Sequence, residues 1–294
     1  LGSWSDLVDN VVDISDNNIE NLWNDSKKDM LKYYIRGYIK LHQGFYDREK
    51  NYHEWNDNNQ NPIIEFLENA LKDNNKREIV NLNYPYELSV ISMMENNINQ
   101  TKYYIYQTYE KIFKSLSNSN YFTNSHHLMN ASQIQSILEI SEAIDFIENI
   151  NSDNAKSMFN KMLSKWNTRY PSDNETPIDY WFDICENREI ILNLIKKVSE
   201  SDTYDEKVVD QKKNIWLKCS KAALYLKNFF VVASCLSKSK SYGLSKLEFS
   251  YEAIKYIVTE LKILKDPNER LKKIVSLGIS LSGLYKVILT LYFL

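Results

Sequence analysis

The sequence predicts an all-α protein, an α-solenoid of degenerate antiparallel helical hairpins of the TPR or HEAT kind. Its 294 residues include only 6 Gly and 5 Pro, whereas average usage would give roughly 20 and 15. Tight turns between strands depend on these residues, because Gly adopts positive φ and Pro presets turn dihedrals. Apolar residues instead recur at helical spacing almost from end to end, and the alternating pattern of strands is absent from the sequence. No exact repeat of tetratricopeptide length is found, so any repeats are degenerate.

In the N-terminal half, apolar side chains recur every three or four residues and define five helical segments. Pro85 lies inside the fourth segment and predicts a kink or break there, because proline donates no helical hydrogen bond. A polar loop at 46–61 precedes the third segment, which begins at Pro62. The segments are a first helix with Trp4, Leu7, Val8, Val11 and Val12; residues 26–42; the helix from Pro62 with Ile63, Phe66, Leu67, Ala70 and Leu71; residues 76–96; and residues 103–116 with Tyr106, Tyr109, Ile112, Phe113 and Leu116 as the buried face.

The C-terminal half continues the pattern with seven more segments. The polar links at 46–61 and 199–206 are interpreted as loops, so a single helical-repeat domain is expected to span residues 1–294. The last segment is the most apolar stretch, although Lys286 and two glycines interrupt it. It is interpreted as a buried helix separated from its packing partner, with a membrane span as the alternative. The seven segments are residues 125–150, 154–166, 178–198, 208–226, 229–237, 244–264 and 268–294.

Charge and cysteine content narrow the class of protein. The formal net charge is −3, with 26% charged residues whose signs are interspersed, unlike the basic surface of a protein that mainly binds phosphates. Cys185, Cys219 and Cys235 are an odd number without CxxC spacing, which argues against a disulfide framework or a zinc cluster. A reducing compartment, cytosol or nucleus, is therefore expected. The first residues lack the basic and apolar runs of a signal or transit peptide.

Motifs that carry catalysis or cofactor binding are missing from the sequence. The glycines cannot form a GxGxxG or GxxxxGK[ST] loop, and neither a GxSxG elbow nor an HExxH spacing occurs. His126 and His127 are adjacent and would point about 100° apart on a helix, so we interpret them as a helix-start pair rather than metal ligands. Cys219 and Cys235 lie on apolar helical faces and are expected to be buried structural thiols. No catalytic, cofactor-binding or metal-binding residue is therefore assigned.

Tyrosines at helical spacing, with lysines and arginines between them, leave two interpretations open. Stacking on exposed rings beside cations is one way to bind single-stranded nucleic acid. Long helices that pack in pairs also use tyrosine at the edge of a core, with the ring buried and the hydroxyl in water. The structural interpretation is favoured. The residues concerned are Tyr33, Tyr34, Tyr38, Tyr103, Tyr104, Tyr106 and Tyr109.

The stretch KWNTRYPSDNETPIDYWFDICENR, residues 165–188, is predicted to be a corner between two helices. Pro171 ends the first helix, because the residue before a proline avoids the α region. Thr176 and Pro177 are typical of an N-cap followed by the first helical position. The two arginines could stack on rings or bind backbone carbonyls. We assign a structural role to Trp166, Arg169, Tyr170, Pro171, Trp181 and Arg188.

These corner residues also carry a resemblance to a known family. They form the pattern W-x-x-R-Y-P followed by W-x-D-I-x-x-N-R, and other motifs lie in the same order along the chain. The chain resembles the FAT region of the DNA-dependent protein kinase catalytic subunit family, which belongs to the phosphatidylinositol-3-kinase-related kinases. The resemblance is strongest over residues 23–197 and weaker over 205–265. The other motifs are Tyr86-Glu87-Leu88-Ser89, Lys102-Tyr103-Tyr104-Ile105, and Gln135-Ser136 with Glu142, Asp145, Phe146 and Ile147.

The resemblance implies a non-catalytic helical scaffold that supports and regulates a serine/threonine kinase domain of the same chain. It also implies a nuclear parent enzyme that acts in non-homologous end joining and is recruited to DNA ends by the Ku heterodimer, without membrane association. ATP and magnesium would be cofactors of that parent kinase domain, and no cofactor is expected in this segment. The alternatives are a stand-alone helical-repeat adaptor for protein–protein interaction and, third, an all-α enzyme with an unrecognised site.

Overall fold

The computed structural model is helical throughout the part of the chain that it describes, which confirms the predicted all-α helical-repeat class. The loop at 47–61 and almost all of the last predicted segment, 268–294, lie outside the described residues. Within those residues, no helix combines the length and apolar character needed to cross a membrane. The described residues are 4–15, 19–24, 27–46, 62–118, 124–172, 176–199, 203–263, 266, 268, 269 and 272.

Twelve α-helices and one 3₁₀ helix make up the described regular structure, and sequential helices pack antiparallel. They are α1 (Trp4–Ile14), the 3₁₀ helix (Ile19–Trp23), α2 (Lys28–Tyr46), α3 (Pro62–Lys72), α4 (Asn74–Asn83), α5 (Pro85–Met94), α6 (Ile98–Asn118), α7 (Asn124–Glu148), α8 (Ala155–Thr168), α9 (Ile178–Val198), α10 (Asp205–Tyr225), α11 (Phe229–Ser241) and α12 (Lys246–Ile263).

Most helix positions agree with the sequence prediction, and the differences have local causes. The expected break falls at Tyr84, and Pro85 occupies the first turn of α5. Helix α9 has the predicted bounds. Helix α6 begins at Ile98 rather than 103, because the Asn97 side chain accepts a hydrogen bond from the Gln100 amide (3.2 Å) and caps an additional turn.

The predicted buried face of α6 was partly wrong. Tyr106 and Phe113 were expected in the core, but their side chains are 60% and 61% exposed. The buried face includes two threonines whose hydroxyls donate to carbonyls one turn earlier, Thr101 to Asn97 O (2.8 Å) and Thr108 to Tyr104 O (2.7 Å). Once its hydroxyl is satisfied in this way, a threonine can be buried like an apolar residue. The buried stripe is Thr101, Tyr104, Ile105, Thr108 and Ile112.

The chain divides into two compact units. The first unit comprises residues 1–169 and 187–200. In it, helices adjacent in sequence pack on one another, and α5 also contacts α2, α4 and α7. Helix α5 is buried on nearly every side, including Glu87, Ser89 and Ser92. Because so many of its neighbours meet on α5, we regard it as the centre of the first unit's core.

The second unit comprises residues 170–186 and 201–294. Helix α10 packs on α11, and α11 packs on α12. Its core contains the fully buried Trp216 with apolar residues of α10 and α11. The turn between α10 and α11 uses Lys227 at φ 59° and a hydrogen bond from the Asn228 amide to Ala223 O (2.9 Å), which is a Schellman-type helix end. The single domain expected over residues 1–294 stays a prediction.

Candidate functional site

The six residues of the predicted corner are divided between the two units. Trp166, Arg169 and Arg188 belong to the first unit, and Tyr170, Pro171 and Trp181 belong to the second. Both tryptophans are 2% exposed, and Arg188 is fully buried. Helix α8 ends at Thr168, before Pro171, and α9 begins at Ile178, directly after Pro177. The structural role assigned to the six residues remains a proposal, and it rests on the contacts that these residues make within each unit.

In the first unit, Arg188 forms a buried ion pair with Glu139 of α7. Its Nη2 lies 2.6 Å from Glu139 Oε1 and its Nε lies 2.8 Å from Oε2, so the contact is bidentate. Both side chains are 1% exposed. Nη2 also donates to the Trp166 carbonyl (3.0 Å), and the guanidinium lies 5.7 Å from the centre of the Trp166 ring. Arg188 therefore binds both α7 and the last turn of α8.

A second acidic residue, Glu142, lies one helical turn after Glu139 and binds the end of α8. It accepts hydrogen bonds from both terminal nitrogens of Arg169, at 2.9 and 3.0 Å. It also accepts from Lys165 Nζ and from the indole nitrogen of Trp166, each at 3.2 Å. Burial would raise the pKa of Glu142, but the hydrogen bonds and charges of Arg169 and Lys165 hold it below its ordinary value.

Amides and hydroxyls add further polar contacts beside these ion pairs. Asn187 Nδ2 donates to Tyr86 Oη (2.6 Å) and to Ser136 Oγ (3.0 Å). Gln135 Nε2 donates to the Arg169 carbonyl (2.6 Å). We call this set the α7–α9 network. Its members are Gln135, Ser136, Glu139 and Glu142 of α7, Asn187 and Arg188 of α9, and Arg169.

The lowered pKa of Glu142 predicts a specific pH dependence of stability. The carboxylate is favoured in the folded state, so its contribution to stability is fully present above the unfolded pKa of about 4.5 and is lost as the pH falls toward the lower folded pKa. We expect Glu142→Gln to be less stable than the parent chain near neutral pH, and the difference to shrink below that value. Urea unfolding at several pH values measures it.

The matched control for this prediction is Asp145→Asn, which removes an exposed carboxylate one turn further along α7. It is expected to stay close to the parent chain at neutral pH, because surface substitutions usually change stability by less than about 0.5 kcal/mol. A Glu142→Gln chain whose deficit stayed constant from pH 7 to acid would contradict the assignment.

In the second unit, the corner residues form an aromatic cluster with lysines over the rings. Tyr170 stacks on Trp181, with ring centres 5.5 Å apart and an interplanar angle of 19°. Lys218 Nζ lies 4.2 Å from the centre of the Tyr170 ring. Lys238 Nζ lies 4.0 Å from the buried ring of Trp216. Such cation–π contacts stabilise the packing of these rings.

The three cysteines all belong to the second unit and are fully buried, as predicted for Cys219 and Cys235. The Cys185 thiol lies 3.9 Å from the Ile215 carbonyl. Contact with Cys185 lowers the pKa of Cys219, but contact with Cys235 and burial raise it, and the net effect is a pKa well above the ordinary thiol value. A buried thiol that holds its proton is a poor nucleophile.

A cleft of about 410 Å³ lies in the first unit. Arg36 of α2 forms an ion pair with the buried Glu87 of α5 at its wall (2.9 Å). Lys111 of α6 donates to the Asn83 carbonyl (2.5 Å). Burial lowers the pKa of Lys111, Glu87 opposes that shift, and Lys32 and Arg36 add to it. Three cationic side chains therefore line the cleft, those of Lys32, Arg36 and Lys111. The lining residues belong to α2, to the helices from α4 through α7 and, with Trp23, to the 3₁₀ helix.

The cleft does not present a recognisable catalytic arrangement. At its wall, Arg36 is bound to Glu87 and Lys111 is bound to the Asn83 carbonyl. Among the residues that the structure describes, no group of three or more His, Cys, Asp or Glu could hold a metal ion. His126 and His127 lie in the first turn of α7, as predicted, but their side chains lie outside the described set.

Sequence reasoning assigned no role to Glu139, the partner of Arg188, or to Arg36 and Lys111 at the cleft. The signal for Glu139 was the spacing of Glu139 and Glu142 on the same face of α7, among apolar residues such as Ile140 and Ala143. Acidic side chains on an otherwise apolar face suggest buried partners, because an unpaired buried charge is too costly. Arg36 and Lys111 lie far apart in sequence, so no local pattern could join them.

Comparison with known proteins gives one family and a set of distant relatives. The FAT domain family matches residues 51–287. DNA-dependent protein kinase catalytic subunits are similar to the chain: that of Canis lupus familiaris is 24% identical over 204 residues, 67% of this chain and 5% of the relative. That of Gallus gallus is 26% identical over 199 residues, which are 64% of this chain and 4% of the relative. The Xenopus laevis protein is 24% identical over 183 residues, which are 62% of this chain and 4% of the relative. The chain thus spans about 5% of the length of these relatives.

Proposed function

Because this chain belongs to the FAT domain family, we propose that it is a non-catalytic helical scaffold segment of a serine/threonine kinase similar to the DNA-dependent protein kinase catalytic subunit. The observation that carries the proposal is the family match, which covers residues 51–287 and so most of the chain. The scaffold would support and regulate a kinase domain carried elsewhere in the same polypeptide. No catalytic residue is assigned to the segment itself.

The arrangement of polar groups supports a structural role. In the α7–α9 network, the Arg188 and Glu139 side chains are each 1% exposed, so neither charge is available to a substrate. General acid–base catalysis requires a titratable group within hydrogen-bond reach of the substrate. Glu139 and Arg188 instead fix the positions of α7, α8 and α9 within the first unit.

The relatives' name motivates a more detailed proposal for the whole protein. We place the parent enzyme in the nucleus, in repair of DNA double-strand breaks by non-homologous end joining, with the Ku heterodimer and DNA ends as partners. ATP and magnesium would bind in the parent kinase domain and not in this segment. A stand-alone helical-repeat adaptor is the alternative function, and the exposed rings of α6 would be its binding surface.

The decisive experiment uses the full-length natural protein purified from its own source. Phosphorylation of a serine- or threonine-containing peptide is measured with purified Ku heterodimer and either a linear duplex or the same duplex closed into a circle. We expect the linear duplex to stimulate phosphorylation and the circle to be inactive. A full-length protein without a kinase domain, or activity that does not depend on DNA ends, would contradict the detailed proposal and favour the adaptor.

A variant pair tests whether this segment supports the kinase. Arg169→Gln removes the bidentate contact with Glu142 at the end of α8. Lys156→Gln removes a cation from an exposed position in the first turn of the same helix. We expect end-stimulated phosphorylation to fall in the first variant and to remain at the parent level in the second. Equal activity in both would argue against a supporting role for the α8 corner.

The 294-residue chain alone is expected to bind no nucleotide. Phosphoryl transfer needs a phosphate-binding loop, a catalytic aspartate and magnesium ligands, and the sequence contains none of the motifs that supply them. Calorimetric titration with ATP and magnesium should give no saturable heat. Duplex DNA should bind only weakly at physiological salt, because the net charge is −3. Saturable, magnesium-dependent ATP binding would be contrary to the scaffold assignment.

A further inference from the structure

The cleft of the first unit contains two lysines that no carboxylate binds. Glu87, the buried carboxylate at its wall, accepts from Arg36 Nε at 2.9 Å and is committed to that cation. Lys111 donates to the Asn83 carbonyl, which uses one of the three protons of its ammonium group. Within the described part of the chain, neither Lys32 nor Lys111 forms an ion pair. Both side chains are exposed, so a small molecule can reach them.

The charges on the cleft wall add up to a positive excess. Lys32, Arg36 and Lys111 are the cations among the lining residues, and Asp29 and Glu87 are the carboxylates. Because Glu87 is bound to Arg36, Asp29 can offset only one of the two lysines. A concave surface with an excess of one charge raises the local concentration of ions of the opposite sign. The cleft is therefore suited to a small anion.

The surroundings of the Lys111 amine also favour its neutral, reactive form. Partial desolvation at the cleft wall lowers the pKa of Lys111, Glu87 opposes that change, and the charges of Lys32 and Arg36 add to it. A lysine beside other cations keeps a larger fraction of neutral amine, which attacks carbonyl groups. The other titratable groups that line the cleft are Asp29, Tyr84 and Tyr86.

The cleft has the size and the mixed lining of a small-molecule site. Its volume of about 410 Å³ lies within the range of about 300–1,000 Å³ that is usual for such sites. Ile79, Pro85 and Ile112 supply apolar surface, and Ser115 and Asn130 supply neutral polar groups. An anion that also carries an apolar part would therefore find contacts for both.

We propose that the cleft binds a small phosphorylated aldehyde, with its phosphate beside Lys32 and Arg36 and its carbonyl carbon bonded to Lys111. The neutral amine adds to the carbonyl carbon. The carbonyl oxygen then leaves as water with the two amine hydrogens, and a C=N bond remains. Hydrolysis of this Schiff base returns the amine and the aldehyde, so binding is reversible. The proposal goes beyond the scaffold role and does not depend on it.

Other ligands fit the cleft less well. A polyphosphate would bring several negative charges toward Asp29 and Glu87, which would repel them. A neutral aldehyde could react with Lys111 but would leave the positive excess without a counterion. A phosphate ester without a carbonyl group would use the lysines but not the neutral amine. A ligand with one phosphate and one aldehyde uses both features.

Pyridoxal phosphate is the probe for this proposal, and pyridoxal, which lacks the phosphate, is its matched control. The full-length natural protein is incubated with each, Schiff bases are fixed with borohydride, and labelled lysines are located by mass spectrometry. Lys114, one turn further along α6 and 76% exposed, is the internal reference. We expect pyridoxal phosphate to label Lys111 about tenfold more than Lys114, the lower end of the enrichment in a charged cleft. Inorganic phosphate should suppress that excess, and pyridoxal should show little of it.

Two variants test the phosphate contact. Lys32→Gln should lower the labelling of Lys111 by about two- to fivefold, the range expected from loss of an exposed ion pair. Lys156→Gln, at an exposed position on α8, should leave it unchanged. Circular dichroism should show the same helical content in both variants as in the parent. Lys111 labelling no greater than that of Lys114, an equal preference with pyridoxal, or equal labelling in Lys32→Gln and the parent would each overturn the inference.

Discussion

Replacing Arg188 by Ala is expected to destabilise the first unit by about 3–5 kcal/mol, the cost of breaking a buried ion pair on one side. The substitution leaves the Glu139 carboxylate 1% exposed and without its bidentate cation. It also removes the donor to the Trp166 carbonyl at the end of α8. Denaturant unfolding followed by circular dichroism measures the loss, which is a large share of the roughly 5–15 kcal/mol that stabilises a domain.

Two further variants separate the effect of breaking the ion pair from the effect of removing side-chain volume. In Glu139→Leu/Arg188→Met, both charges are gone, and replacement of a buried pair by apolar residues of similar size is often neutral or stabilising by about 1–4 kcal/mol. Arg169→Ala breaks a pair whose side chains are 29% and 15% exposed, and should cost about 1 kcal/mol or less. If Arg188→Ala destabilised the unit no more than Arg169→Ala does, the buried pair would have no special role in stability.

Truncating either corner tryptophan should lower the free energy of unfolding about as much as Arg188→Ala does. Trp166→Ala and Trp181→Ala each remove a ring that is 2% exposed, and such large-to-small changes cost about 3–5 kcal/mol because a cavity remains. Trp166 also loses its hydrogen bond to Glu142, and Trp181 its stack on Tyr170. The two variants report on different units, so each unfolding transition should be followed separately.

The control for these truncations is Phe230→Ala, because the Phe230 ring is 66% exposed. It should stay within about 0.5 kcal/mol of the parent chain. Trp166→Ala and Trp181→Ala chains that unfold at the parent's midpoint would show that the corner is not structural. The aromatic cluster would then have to be reconsidered as a surface for binding a partner.

The helical class and most helix positions could be predicted because they depend on local patterns. Pro85 ends one helix and begins the next for steric reasons that its neighbours do not alter. The bounds of α9 follow from Pro177 at one end and the polar run after Val198 at the other. Resemblance to FAT regions then provided the family, which the physical pattern alone could not distinguish from other helical repeats.

The choice of buried face and the partners of buried charges could not be predicted in this way. On α6, the exposed residues Tyr106 and Phe113 are more apolar than the two buried threonines, so hydrophobicity predicted the wrong face as the buried one. Burial of Thr101 and Thr108 depends on hydroxyl contacts within the helix that apolar periodicity does not register. The Arg188–Glu139 pair depends on packing between helices 49 residues apart in sequence.

That separation has a consequence for synthesis of the protein. Arg188 is added to the growing chain 49 residues after Glu139, a delay of roughly 2–10 seconds at about 5–20 residues per second. Until it arrives, α7 carries the Glu139 carboxylate on the face that will be buried, and water must solvate it. Helices α7 and α8 can therefore form early on the ribosome, but the face of α7 that carries Glu139 is not buried until α9 emerges. A pause in translation before codon 188 would prolong exposure of that face to chaperones and proteases.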